Sequence, residues 1–235
     1  MSLYFVLLIC SIAVPLLLSF DRKLQFYKQF KIVIPAIIII AFFYIICDIY
    51  LTNMGVWGFN SRYNSNILLY NLPVEEWLFF IVIPYASIFL HESFILYFPK
   101  IQLSNKLSKA ISIVLIIFLA IVIIFNFHKT YTIYIFSLLI LALFFSLLDN
   151  SRIINKFYVT FLLILIPFFI VNAILTGSFI DSEVVWYNNS ENLGIRVFTI
   201  PVEDFGYAFS LILFNLLLID KLKKLFKFQT KKLLV

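Results

Sequence analysis

Residues 72–77 read Leu-Pro-Val-Glu-Glu-Trp and residues 200–205 read Ile-Pro-Val-Glu-Asp-Phe, and each hexapeptide opens a long apolar run. The two copies lie at an offset of 128 residues, and the same offset relates Asn60 to Asn188. In both copies, 12 residues separate the Asn from the Pro of the hexapeptide. Adjacent carboxyl groups are costly at the mouth of a membrane helix. Their repetition without a gap predicts an internal duplication that carries chemistry.

The composition places the chain in a lipid bilayer. Of its 235 residues, 63% are hydrophobic and 13% are charged, and the mean hydropathy is +1.06. Soluble domains are about half apolar and about a quarter charged. We predict an all-α, multi-pass integral membrane protein with about seven transmembrane helices, because seven apolar stretches have the length of a membrane span. They lie near residues 2–20, 31–51, 73–98, 108–127, 130–148, 157–176 and 200–219.

The basic residues predict how these helices are oriented. One set of loops, together with the C-terminal segment, holds 15 of the 18 Lys and Arg residues. The opposite loops hold only Arg62, Lys129 and Arg196. By the positive-inside rule, we expect the N-terminus outside and the C-terminus in the cytoplasm of a cell-membrane protein. The outer loops, residues 52–72 and 177–199, then lead directly into the two acidic motifs.

Three helices on each side of a connecting helix explain the duplication. We predict a first repeat at residues 1–98, a connecting span at 99–129, a second repeat at 130–220 and a basic cytoplasmic tail at 221–235. Equivalent helices are separated by an even number of crossings, so the repeats are expected to be parallel, unlike the inverted repeats of many transporters. The tail is expected to contact anionic lipid headgroups. Nothing in the chain resembles a nucleic-acid-binding module.

Four acids, Glu75, Glu76, Glu203 and Asp204, are the first candidates for catalysis. A proline precedes each pair, which places the acids in the first turn of a helix, where the dipole favours negative charge. A helix start at the membrane surface explains one such motif, but two matched copies favour a function. Adjacent carboxyl groups repel each other and burial penalises ionisation. We expect one acid of each pair to donate a proton and its neighbour to accept one.

Other polar residues near the same face are further candidates. Asp48 lies late in the second span, where an acid normally lines a cavity or has a polar partner. It aligns with Asn172 at an offset of 124 residues. A catalytic role and a capping hydrogen bond both fit Asp48. Asn60 and Asn188 either orient the acids within the substrate site or serve only as turn residues.

All three tryptophans, Trp57, Trp77 and Trp186, lie close to the acidic motifs or the aligned loop residues. They fit an interfacial aromatic belt. They also fit a substrate-binding site, because ring faces attract a developing carbocation. His91 and Glu92 lie about 24 Å further along the third span at about 1.5 Å per residue, so we expect them to form a polar contact at the inner face.

Missing motifs exclude several function classes. The chain has 5 glycines and no Gly-x-Gly-x-x-Gly or phosphate loop, which excludes an internal flavin or nicotinamide domain. No Asp-Asp-x-x-Asp or His-rich cluster is present to hold magnesium or iron. Cys10 and Cys47 form neither a disulfide framework nor a metal site. We therefore expect no cofactor and no metal. The seventh span lacks lysine, which excludes a retinal Schiff base there.

The motifs resemble those of the integral-membrane lycopene cyclases. The resemblance rests on residues 73–80, Pro-Val-Glu-Glu-Trp-Leu-Phe-Phe, and 201–207, Pro-Val-Glu-Asp-Phe-Gly-Tyr, together with 55–60 and 185–188. In that family, two small subunits or two fused repeats form one carotenoid cyclase, and this chain looks like the fused form. The resemblance implies conversion of lycopene, an apolar carotenoid within the bilayer, to β-carotene by way of γ-carotene. This non-redox, acid–base cyclisation makes the enzyme an isomerase (intramolecular lyase).

The alternative is a small multi-pass transporter or lipid-binding membrane protein that uses the acidic pairs for proton coupling. Transport predicts polar residues along a path across the bilayer. The fourth, fifth and seventh spans are nearly featureless at mid-membrane and the acids gather at one face, which favours the enzyme. The sequence leaves open whether one or both ends are cyclised, the ring type, the C40 or C50 substrate, the donor in each pair and the oligomeric state.

Cysteine labelling tests the predicted orientation. A cysteine introduced at Ser65 or Ser190 should react with a membrane-impermeant maleimide in intact cells, because both positions lie in the predicted outer loops. The parent chain, which carries Cys10 and Cys47, gives the background signal. Labelling that requires cell lysis would reverse the orientation.

Overall fold

A computed structural model describes residues 1–232, with side chains described to residue 225. Within this part of the chain there are seven α-helices, and a short 3-10 helix, Phe26–Gln29, precedes the second. The α-helices are α1 (Leu3–Leu18), α2 (Phe30–Asn53), α3 (Val74–Tyr97), α4 (Asn105–Phe125), α5 (Thr130–Leu148), α6 (Ile153–Leu175) and α7 (Val202–Lys232).

The helices confirm a multi-pass membrane architecture. Six of those described, α2 to α7, contain segments long and apolar enough to cross a bilayer. The remaining helix, α1, is apolar but has 16 residues. At about 1.5 Å per residue it extends about 24 Å, less than the roughly 30 Å of bilayer hydrocarbon. The structure therefore supports six membrane-spanning helices and a shorter α1, where the sequence predicted about seven spans.

The predicted basic tail is not a separate segment. The helix α7 continues without a break from Val202 to Lys232 and so includes most of residues 221–235. The side chains of Lys227, Lys231 and Lys232, and residues 233–235, lie outside the described part.

Three short antiparallel ladders, which the sequence did not predict, shape the loops before α3 and α7. The strands are β1 (Trp57–Phe59), β2 (Leu68–Leu69), β3 (Leu72–Pro73), β4 (Val185–Tyr187), β5 (Arg196–Val197) and β6 (Ile200–Pro201). Pairing joins β1 to β4, β2 to β3 and β5 to β6. Pro73 and Pro201 thus end hairpins immediately before their helices. The sequence had predicted that both prolines begin the first helical turn, and in the structure they do not.

Backbone hydrogen bonds repeat in the two halves at the offset of the acidic motifs. Val74 N–H donates to Ile67 O at 2.9 Å, and Val202 N–H donates to Ile195 O at 3.0 Å. Each bond closes the hairpin that delivers the chain into its helix. The local geometry that positions the acids is therefore the same in both copies.

The ladder β1–β4 joins the two copies to each other. Gly58 lies opposite Trp186 at its centre, and these residues are themselves equivalent at the offset of 128. At the ends of the ladder, Asn60 N–H and Asn188 N–H each donate to a carbonyl of the other half at 2.9 Å. A pseudo-two-fold axis therefore passes through the pair of Gly58 and Trp186.

Helix packing follows the same relation. The helix α1 packs on α3, and α5 packs on α7. Within each pair the helices run in the same direction, because Tyr4 and Tyr131 near their starts bond acids in the first turns of α3 and α7. The helix α7 is central, with 72% of its span buried, whereas α4 is peripheral, with 17% buried. The periphery of α4 fits its predicted role as a connector.

Gly58→Ala tests the contact at the pseudo-axis. A Cβ at position 58 would overlap the Trp186 indole, and overpacking of this kind costs about 1–3 kcal/mol. Thermal unfolding in detergent should show the loss in the wild-type background. The loss should shrink when Trp186 is also replaced by Ala, because the clashing ring is then absent. Equal losses in both backgrounds would contradict the packing explanation.

Candidate functional site

The acidic motifs lead to one elongated cavity of about 510 Å³ between α1, α3, α6 and α7. One stripe of α3 lines it from Glu76 to Ser93, a distance of about 26 Å at about 1.5 Å per residue. Three carboxyl groups, those of Asp48, Glu76 and Asp204, line this cavity. Most of its remaining wall is aliphatic or aromatic. The site thus combines an apolar channel with a cluster of acids at the starts of α3 and α7.

The cavity reaches the outside of the bundle between α1 and α6. Val14 on α1 and Ile170 on α6 both line it, and they are 60% and 61% exposed. Both residues lie on the apolar, membrane-facing side of their helices. An apolar molecule dissolved in the bilayer therefore has a lateral path to the cavity.

The second acid of each motif lines the cavity and accepts hydrogen bonds from tyrosines. Tyr4 donates to Glu76, while Tyr131 and Tyr187 donate to the two carboxyl oxygens of Asp204 at 2.5 and 3.0 Å. Tyr187 belongs to β4, outside the helices, and burial raises the pKa of its hydroxyl well above the ordinary value. The Tyr187 hydroxyl therefore keeps its proton and remains a donor at neutral pH.

The first acid of each motif lies outside the cavity lining and binds the outer loop. Glu75 accepts hydrogen bonds from Ser65 N–H at 2.6 Å and from Ser65 Oγ at 3.0 Å. Glu203 accepts from Leu193 N–H at 2.8 Å and from Thr132 Oγ1 at 2.7 Å. Ser65 and Leu193 are equivalent at the offset of 128. Each motif thus uses one carboxyl group to hold its loop and presents the other to the cavity.

Asp48 reaches the same cavity from α2, where its side chain is buried. Among the residues that the structure describes, its Oδ2 atom has no hydrogen-bond partner. Its repeat equivalent, Asn172 on α6, also lines the cavity. Asp48 therefore differs from Glu76 and Asp204, which both receive tyrosine hydroxyls.

An aromatic cluster lies beside Asp204. The rings of Trp57 and Tyr131 have centroids 5.0 Å apart, and Tyr187 lies 5.5 Å from Tyr131 and 6.3 Å from Trp57. All three side chains line the cavity. An aromatic ring attracts a cation that develops over its face within about 6 Å of the centroid. Trp57 is thus in the position that the substrate-binding prediction requires.

Four other residues predicted for the substrate site lie outside the cavity lining. Trp77 donates its indole N–H to a backbone carbonyl of its own hairpin region at 3.3 Å, and Trp186 is 39% exposed across the β1–β4 ladder. Asn60 and Asn188 each accept a backbone N–H two residues further on, at 3.0 and 3.1 Å. These two asparagines shape the turns and do not contact the acids.

The sequence interpretation missed four tyrosines, Tyr4, Tyr131, Tyr187 and Tyr207, which all line the cavity. A signal for two of them was present, because Tyr4 and Tyr131 occur near the starts of equivalent helices at an offset of 127. Tyr187 directly precedes Asn188 in the repeated loop, but the sequence assigns it no role. An aromatic residue in a membrane helix has many structural uses, so composition alone does not single these out.

His91 and Glu92 lie near the far end of α3, away from the acids. His91 Nδ1 lies 2.7 Å from Thr160 Oγ1, and Glu92 forms an ion pair with Lys223 at 3.1 Å. Both are contacts between helices, in agreement with the structural role predicted for them.

Comparison with known proteins gives one family. The family model for lycopene cyclase matches residues 1–94 and residues 128–222. The two matched segments contain one acidic motif each, and the whole of α4 lies between them. Among curated proteins and among solved structures, no match is found.

Replacement of the loop-binding acids tests their positioning role. Glu75→Ala and Glu203→Ala each remove the acceptor of a partly buried loop N–H, which should cost about 1 kcal/mol of stability or more. Thermal unfolding and protease sensitivity of the outer loops would measure the effect. Glu183→Ala, which alters an exposed acid of the same loop region, is the matched control and should change neither. Equal stability of all three variants would contradict this assignment.

Proposed function

Since the chain belongs to the lycopene cyclase family, we propose that it is a lycopene β-cyclase that converts lycopene to β-carotene by way of γ-carotene. The proposal rests chiefly on the buried carboxyl groups of Asp48, Glu76 and Asp204, which line one apolar cavity with access from the membrane. Lycopene is an apolar polyene that dissolves in the bilayer, and its cyclisation requires acids and bases. The cavity provides an apolar environment for the polyene and carboxyl groups that can act as acid and base.

The reaction needs one proton donor and one proton acceptor. An acid protonates the terminal double bond of the polyene, and a tertiary carbocation results. The electrons of the nearby double bond close a six-membered ring, and loss of a proton from this ring gives the β end group. One proton is gained and one is lost, so substrate and product are isomers and no redox step occurs.

The hydrogen bonds of the three cavity acids suggest which acid donates the proton and which acids accept it. We assign proton donation to Asp48, because its buried Oδ2 atom has no hydrogen-bond partner within the described residues and, unlike Glu76 and Asp204, it receives no tyrosine hydroxyl there. Glu76 and Asp204 receive tyrosine hydroxyls, which stabilise a carboxylate and suit proton acceptance. After each cycle, the proton must return from the acceptor to the donor.

The aromatic cluster and the loop-binding acids complete the site. Trp57, Tyr131 and Tyr187 surround the region beside Asp204, where they stabilise the carbocation. Glu75 and Glu203 act through position, because each ties an outer loop to the helix start that carries the cavity acid. The first acid of each pair thus fixes the position of the helix start, and the second acid faces the cavity.

We also propose how the repeats are arranged and how the helices are oriented in the membrane. Two parallel repeats, residues 1–98 and 130–220, are joined by residues 99–129, with the N-terminus outside and the protein in the cell membrane. The matched hydrogen bonds of the two halves support the repeats, and the distribution of basic residues supports the orientation. The basic end of α7 then contacts anionic lipid headgroups.

A proton-coupled transporter is the less favoured alternative. Transport requires a polar path across the bilayer. The cavity carboxyl groups instead lie near the starts of α3 and α7, and the wall beyond them is largely apolar. This distribution fits a polyene that brings one of its reactive ends to the acids while the rest of the chain contacts the apolar wall.

Amide variants test the function. Asp48→Asn, Glu76→Gln and Asp204→Asn should each lower pigment conversion in lycopene-accumulating cells by about 10²–10⁴-fold, the usual contribution of general acid–base catalysis. Chromatography of extracted pigments measures the yield. Glu75→Gln is the matched control from the same motif, and it should lose far less because the amide oxygen still accepts the Ser65 N–H.

Two results would contradict the proposal. Unchanged lycopene in cells that contain the folded wild-type protein would overturn the function. Wild-type yields from all three cavity variants would overturn the catalytic assignment while leaving the family membership intact.

Deuterium incorporation separates the donor from the acceptors. In D₂O, Asp204→Asn or Glu76→Gln should still allow reversible protonation, so mass spectrometry should find deuterium in the recovered lycopene. Asp48→Asn should yield lycopene without deuterium, because the first proton transfer is lost. The reverse pattern would exchange the assigned roles.

A further inference from the structure

The pseudo-two-fold relation gives every helix around the cavity an equivalent in the other half. The cavity lies between α1, α3, α6 and α7. The equivalents of these helices are α5, α7, α2 and α3, so the duplication places a second potential groove on the opposite side of the axis. The two regions have the same backbone plan, and their side chains decide whether each is open.

Larger side chains occupy the second region at three positions. The offset is 127 residues between α1 and α5, as fixed by the equivalent acid-binding tyrosines, and 128 residues between α3 and α7. Each position has a smaller residue lining the open cavity and an aromatic ring in the second region. The pairs are Leu7 with Tyr134, Ala86 with Phe214, and Ala208 with Phe80.

The rings in the second region form a packed core. The Tyr44 ring lies 5.3 Å from that of Tyr207 and 6.3 Å from that of Phe80, between centroids. The Tyr44 hydroxyl donates to Ser210 Oγ at 2.9 Å. Phe80 and Tyr44 belong to one buried cluster, and Phe214 packs against it. The volume equivalent to the cavity is therefore filled by protein.

Both copies of the acidic motif contribute to the open cavity. Glu76 comes from the first motif and Asp204 from the second, and both line this single space. Asp48, from the first half, and Asn172, from the second, line it as well. The duplication has therefore produced one composite site rather than two separate ones.

We infer that the chain holds one polyene-binding groove and closes one ring in each binding event. This inference rests on the proposed function and adds the number of rings that are closed in each binding event. A linear substrate with two reactive ends places one of them at the acids while the rest of the chain extends along the groove toward the membrane. The second end reaches the acids only after the molecule has left and returned in the opposite direction. The monocyclic carotenoid is therefore released as a free intermediate.

A time course with excess lycopene in liposomes tests this inference. The monocyclic product should accumulate to many times the enzyme concentration before the bicyclic product appears, or should remain the final product. A monocyclic carotenoid that never exceeds the enzyme concentration while the bicyclic product forms would overturn the inference. Absence of any cyclic product would overturn the proposed function itself, and the two failures are therefore distinguishable.

Exchange of one side chain tests the structural cause. Ala86→Phe places in the open groove the residue that fills the second region, and it should lower cyclisation by at least about tenfold. Phe214→Leu, its counterpart across the axis, should leave the rate close to wild type. Size-exclusion profiles in detergent identify folded variants, and Ala208→Phe replaces Ala86→Phe if the latter does not fold. A large loss of cyclisation with Phe214→Leu, together with no loss in the folded groove variants, would overturn the inference.

Discussion

Hydrogen bonds to buried carboxyl groups hold together the end of the bundle at which α3 and α7 begin. An unpaired charge inside an apolar protein is costly, so a buried ionised carboxylate requires donors from neighbouring segments. Glu75 and Glu203 meet this requirement with loop N–H groups, and Glu76 and Asp204 meet it with tyrosine hydroxyls. The same bonds connect α1 to α3 and α5 to α7. The acids thus determine the positions of the loops and helix starts that surround them.

Duplication followed by divergence explains why a nearly symmetric scaffold carries an asymmetric site. The backbone keeps its pseudo-symmetry at the hairpins and at the β1–β4 ladder, where hydrogen bonding leaves little freedom. Side chains that pack between the helices can change size as long as the interior of the bundle stays filled. At the axis, Gly58 faces Trp186, since two large residues do not fit there. The filled region and the open cavity differ for the same reason, since their side chains differ in size on the same backbone plan.

The sequence predicted the helices well because membrane spans follow from hydropathy and length, and α5 was placed at its observed boundaries. It also singled out Asp48, Glu76 and Asp204, which line the cavity, because carboxyl groups are conspicuous in apolar sequence, and Trp57, because the chain has only three tryptophans. It did not distinguish Glu75 from Glu76, since adjacent residues differ by about 100° around a helix and the facing direction depends on packing. The short strands and the tyrosine donors depend on contacts between distant segments, which periodicity does not encode.

The apolar wall of the cavity is part of the chemistry as well as of substrate recognition. A tertiary carbocation in contact with water would be captured as an alcohol, so a cyclase must exclude water until the ring loses its proton. A dry site also strengthens the attraction between the cation and a carboxylate, to about 4 kcal/mol at about 4 Å and an effective dielectric constant of about 20. Exclusion of water demands apolar residues, whereas proton transfer demands buried acids. Buried carboxyl groups at one end of a largely apolar cavity combine the two, and the composition of the chain, mostly apolar with few charges, reflects this combination.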